Sequence, residues 1–216
     1  MLLRFALLLL LPVSALAQDS YYITVFGTGS QSLRAKRTHT FATFSRVTET
    51  PSGPLVENHT ISWMPEILNI RPLALRPEAG MNLTQEQSFQ WAESHGLRTS
   101  VWGPYGITAE RYEALLARQT DLESGRISYR AIGGFTKRAA VSNCGQSFTR
   151  AGVVGHKYLQ PTPLPGERGT SLLVERGFNT APHPVVEHPE LLPAILSPGH
   201  AAVPRQPGER IRRIGR

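Results

Sequence analysis

The sequence predicts an α+β domain, an antiparallel sheet with packed helices, followed by a proline-rich C-terminal arm. Three observations predict it. Alternating stretches at 22–26, 38–48 and 59–64 read as strands. Two later stretches, 84–95 and 108–122, repeat apolar residues at helical spacing. The connections between them are short, which favours one compact body over separate layers.

The first strand, Tyr22-Ile23-Thr24-Val25-Phe26, runs into Gly27-Thr28-Gly29-Ser30, which reads as a turn. A phosphate-cradling loop there lacks its third glycine and its helix. The second strand, 38–48, places His39, Phe41, Thr43 and Ser45 on one face and Thr40, Ala42, Phe44 and Arg46 on the other. A third, near 59–64, closes at Pro65. Thr84 with Gln87 forms a capping box for a helix carrying Phe89, Trp91, Ala92 and His95, and Gly96 is placed to end it. A strand at 97–102 is followed by a predicted turn, Gly103-Pro104-Tyr105-Gly106. Thr108 then caps a helix through Tyr112, Leu115, Leu116, Gln119 and Leu122, which ends at Gly125. Residues 127–132 alternate as a strand, Gly133-Gly134 is a turn, and Ala139-Ala140-Val141 leads into Ser142-Asn143-Cys144-Gly145-Gln146-Ser147-Phe148.

From Pro161 onward prolines recur, removing backbone donors and interrupting helices. Residues 161–216 are therefore expected to be an extended or partly disordered arm, with 172–174 and 185–186 as short local strands. At the other end, Arg4, the apolar run Phe5 to Leu11 and Ala15-Leu16-Ala17 have the layout of a secretory signal peptide over 1–17. The expected organisation is thus a leader at 1–17, a globular domain at 18–160 and the arm at 161–216. Secretion or a periplasmic location follows, and no later stretch has the length of a transmembrane anchor.

The formal net charge is +7. Setting aside Arg4 and the tail's Arg205, Arg210, Arg212, Arg213 and Arg216 with Glu209 leaves only about +2. Such a tail reads as a solvated end, and no nucleic-acid-reading module accompanies it. His183 and His188 lie among prolines, without the further ligands a metal site needs. No metal or cofactor is expected. Asn58-His59-Thr60 and Asn82-Leu83-Thr84 are glycosylation sequons.

Cys144 is the single cysteine. In an oxidising compartment an unpaired thiol is buried, joins two chains, or does chemistry. If Asn143 caps a helix beginning at Cys144, unsatisfied N–H groups and the helix dipole favour a thiolate there. A nucleophilic thiol also needs an imidazole. His39 and His59, on upstream strands, are the candidates. The bland alternatives are a cysteine packed as a small apolar group and histidines that tie strands together. Trp63, Trp102 and Tyr105 fit either a substrate groove or the core.

The order strand-histidine, polar residue on the next strand, then Asn-Cys opening a helix resembles that of circularly permuted papain-like cysteine hydrolases, including proteins like lecithin retinol acyltransferase. The matching segments are Thr38-His39-Thr40-Phe41-Ala42, Asn58-His59-Thr60-Ile61 and Asn143-Cys144. The chain departs from the family's Asn-Cys-Glu-His-Phe pattern after the cysteine, where Gly145-Gln146-Ser147-Phe148 stands. The resemblance implies a permuted papain-like fold in which His39 is the base toward Cys144 and His59 orients it. It further implies a thiol hydrolase or acyltransferase acting on a cell-wall peptide, another amide or a lipid ester. The alternative is a noncatalytic secreted or periplasmic binding protein with a buried structural cysteine. Oligomeric state is not encoded in any motif.

Overall fold

The computed structural model describes residues 19–29, 38–74, 76–131, 140–153, 166–178, 185–209 and 211. The predicted leader at 1–17 and the Gly133-Gly134 turn lie outside them. The architecture is α+β. Strands β1 (Asp19–Gly29), β2 (His39–Thr50) and β3 (Gly53–Ile61) form an antiparallel meander, followed by β4 (Trp63–Pro65) and β5 (Gly80–Asn82). Helix α1 (Gln85–Ser94) then leads to β6 (Arg98–Ile107) and α2 (Ala109–Glu123). After these come β7 (Ser128–Tyr129), β8 (Val141–Ser142), α3 (Cys144–Phe148), α4 (Gly166–Phe178), α5 (Leu192–Ile195) and β9 (Val203–Pro204). The main sheet has five strands in the order β3-β2-β1-β6-β9, antiparallel except for the last pair.

Alternation along β1, β2 and β6 builds two different cores. Ile23, Val25, Ala42, Phe44, Trp102 and Tyr105 point to one face, where they meet Tyr112 and Leu115 of α2, Phe148 of α3, and Val174 and Phe178 of α4. Phe26, Phe41 and Val101 point to the other and meet Phe89 of α1, with Leu192 and Leu196 beside them. The sheet is covered on both sides, which is why its central strands are apolar on both faces. The expected helix caps are present. Thr84 accepts from the Gln87 N–H while the Gln87 side chain returns to the Thr84 N–H, and Thr108 accepts from Arg111.

Four expectations are corrected. Gly27-Thr28-Gly29 is not a turn: β1 continues through Gly29. Glycine is required there because α4 lies directly on the strand. A Cβ at Gly27 would stand 2.5 Å from Thr170 Oγ1 and 3.2 Å from Glu167 Cα. Glycine in a strand interior often marks such a close approach. Gly27→Val is therefore expected to destabilise the fold by roughly 2–3 kcal/mol through overpacking. An unchanged urea midpoint would remove α4's seat on β1.

Gly103-Pro104 is likewise not a turn but a bulge within β6. Ile23 pairs with Tyr105 and Val25 with Trp102, so two residues of β6 oppose the single Thr24. The strand expected at 59–64 divides into β3 and β4, and that at 127–132 contracts to the two-residue β7, with Ile132 outside the described residues.

The fourth correction concerns the arm. Residues 166–178 form α4, whose Val174 and Phe178 join the main core, so 172–174 is helical and not a strand. Beyond it, Val186 O accepts from Gly106, Glu187 bridges to Tyr105, Ile195 is buried, and β9 pairs with β6. The described part of 161–216 therefore belongs to the folded body, because its prolines fall between apolar contacts and leave them in place. No described helix is long and apolar enough to cross a membrane.

Candidate functional site

The cysteine segment folds as its local chemistry predicts. Asn143 has an extended backbone, and its Oδ1 accepts from the Gln146 N–H at 2.7 Å, which starts α3 at Cys144. The thiol is turned onto β2, where the Thr40 backbone N–H donates to it together with the N–H groups of Cys144 and Gly145. Tyr129 is close enough to feel a charge on the sulfur. These donors favour a thiolate, but burial outweighs them and pushes the thiol's pKa up. The residue as a whole keeps partial exposure. Helix α3 has only 5 residues, too few for its dipole to reverse that balance.

His39 turns its side chain to the α1 face of the sheet. Its odd-numbered position on β2 points it toward α1, where its ring stacks on Phe41 at 5.7 Å and meets the edge of Trp91 at 5.8 Å. Its Nε2 shares a 2.8 Å hydrogen bond with Ser62 Oγ, and Ser88 Oγ joins Ser62 at 2.7 Å. The residue is 1% exposed, and burial lowers its pKa to about 3. The neighbouring Thr40, whose N–H reaches the cysteine, turns its side chain to Thr170 of α4. Two successive residues of one strand thus serve opposite faces.

His59 is on the cysteine's side of the sheet but at the wrong level. It pairs with Phe44 across β2 and β3, stacks on that ring at 5.5 Å, and shares a 3.1 Å contact with Glu57. Phe44 is four residues from Thr40, which separates the ring from the thiol by about 13 Å along the strand. His59 therefore stands away from the thiol along the strand, whereas the Thr40 N–H that reaches the sulfur belongs to the peptide following His39, so the sulfur lies against the backbone next to that histidine.

The remaining described histidines are engaged elsewhere: His95 with the Trp91 carbonyl, His188 with Glu190, His200 with Glu93. His156 and His183 lie outside the described residues. Trp63, Trp102 and Tyr105 are core residues, each at most 1% exposed. Asn82 of the second sequon spends its amide on Thr60 O at 2.9 Å and Glu123 at 2.8 Å, and its Oδ1 on the Ser62 N–H. No described group of three metal-ligating side chains comes together.

Sequence reasoning missed the guanidinium groups that hold the cysteine segment. Arg118 of α2 donates from Nε to Ser147 O at 2.9 Å and from Nη2 to Ser142 Oγ at 3.3 Å. Arg150, just beyond α3, donates from Nη1 to Val141 O at 2.8 Å. The available signal was Arg118 on the same helix face as Leu115 and Leu122, a charge where an apolar residue is expected. No protein-family model matches the chain, and neither a curated protein nor a solved structure matches it.

Proposed function

We propose that the protein is a noncatalytic binding protein of the secreted or periplasmic compartment, with Cys144 as a structural thiol. One observation carries this reading: burial pushes the Cys144 thiol's pKa up and lowers that of the His39 imidazole, whose Nε2 is engaged by Ser62, to about 3, so both groups are held in their uncharged forms. Thiol catalysis needs a thiolate and a base within hydrogen-bond reach. An enclosed thiol also withstands oxidising surroundings, which suits an exported chain with a single cysteine.

Native Cys144 is expected to react with iodoacetamide at neutral pH at least a hundredfold more slowly than in the urea-unfolded chain, as enclosed thiols do. Cys144→Ala should fold, at a cost of about 1 kcal/mol. Release of p-nitrophenol from p-nitrophenyl acetate should be the same in both proteins. Saturable ester cleavage that disappears in Cys144→Ala and in His39→Gln would sink the noncatalytic reading.

A further inference from the structure

Arg118 and Arg150 grip adjacent residues of one short ribbon, Ser142 and Val141. Both are partly buried, and each guanidinium feels the loss of water; Arg118 also feels the positive charge of Arg150. Two cations so placed ordinarily have a carboxylate between or beside them. Here all 16 acidic residues of the chain lie within the described residues, and none forms an ion pair with either arginine. The carboxylate whose field reaches Arg118 is Asp121, and it is paired with Arg126 at 3.0 Å.

Among the described residues the donors are not exhausted either. A guanidinium carries five N–H groups. Arg118 uses its Nε and one Nη2 hydrogen and Arg150 one Nη1 hydrogen on protein acceptors, all of them neutral. The same ribbon holds Arg130, whose backbone N–H donates to Ser142 O and whose buried Nε has no partner among the described residues. The positive charge and partial enclosure of Arg118 and Arg150 meet beside β8. Planar forks of this kind match the oxygens of a phosphate.

We propose that Arg118 and Arg150 form a binding site for a phosphate group, with Arg130 as its third contributor. The inference rests on the binding reading above and supplies its ligand class. A phosphate dianion would offset the like-charge pair and take up N–H groups that have no acceptor among the described residues, while leaving the backbone contacts to Ser147 and Val141 intact.

The test uses the full chain with inorganic phosphate as probe. Thermal unfolding in phosphate is compared with chloride at equal ionic strength, and binding is titrated by calorimetry. The wild type is expected to show a phosphate-specific rise in Tm, and Arg150→Gln at least a tenfold loss of affinity. Arg130→Gln, which leaves the Ser147 and Val141 contacts in place, should weaken binding in the same direction and guards against a merely unfolded Arg150 variant. Soluble glycerol phosphate and phosphatidylglycerol vesicles in phosphatidylcholine then separate a free monoester from a lipid headgroup; arginine-dependent retention of either supports the site. Equal Tm in the two salts, or a phosphate response unchanged in both variants, overturns it. The iodoacetamide rate of Cys144 in the same samples keeps the two proposals distinct: fast labelling strikes the noncatalytic reading, whereas a missing phosphate response strikes only this site.

Discussion

Glu167→Ala should lower the stability of the folded protein by about 3 kcal/mol, the lower end of the cost of removing one partner of a buried ion pair. The carboxylate is 6% exposed. It accepts from Arg98 Nε at 2.8 Å and Nη2 at 2.7 Å, a bidentate pair, and from the Ser100 hydroxyl. Ser100 Oγ in turn accepts from Arg205 Nε at 3.2 Å, and Arg205 is paired with Glu209 at 2.7 Å. One side chain of α4 therefore joins β6 to the segment that follows β9. Truncation would leave the Arg98 guanidinium and Ser100 hydroxyl without their acceptor. The penalty stays at the lower end because 28% of the Arg98 side chain remains in water. Glu167→Gln keeps the volume and one acceptor, so a smaller loss is expected. Urea unfolding should register both as a lower midpoint with the slope preserved. A loss below about 1 kcal/mol in Glu167→Ala would mean that the ion pair adds little to the packing and the Thr170 contact that seat α4.

The same helix marks where sequence reasoning stopped. Local chemistry was legible: the Thr84-Gln87 box, the Thr108 cap and the Asn143 cap each involve partners three residues apart. So were the two faces of β2, because alternation has a strict period. Helix α4 was hidden by the surrounding prolines, although Thr170, Val174 and Phe178 recur at helical spacing. Gly27 and Gly29 read as a turn from sequence because a glycine's reason in a strand is the element lying on it, here α4. The surroundings of His39 were hidden for a related cause. Nothing local says which face of the sheet a helix covers, so the burial of its ring against Trp91 was not legible until α1 was in place. Nor could the competition at Cys144 be decided from sequence. Helix-start donors are a local feature, whereas the burial that overrides them comes from β2 and its surroundings.

His39 should make the fold acid-sensitive. Its imidazole has an ordinary pKa of 6.5 and is lowered to about 3 by burial. Protonation would place a cation among Phe41, Trp91 and Ser62, and would require an N–H on Nδ1, which has no partner among the described residues. The folded state therefore binds fewer protons than the unfolded chain between these values. Stability from this group is complete above 6.5 and declines as the pH falls toward 3. At about pH 4 the loss is on the order of 3 kcal/mol, taking 1.36 kcal/mol per pKa unit. Glu57, Glu190 and Glu209 are held below the usual carboxylate range by their hydrogen-bond partners and also weaken the fold in acid. Because those groups remain in His39→Gln, the difference between wild type and variant isolates the imidazole. Urea unfolding of both proteins at about pH 7, 5.5 and 4 should give a gap that narrows or reverses toward acid as the wild type loses its advantage. Parallel losses in the two proteins would place the titration elsewhere and remove the enclosed neutral histidine from the account of this sheet.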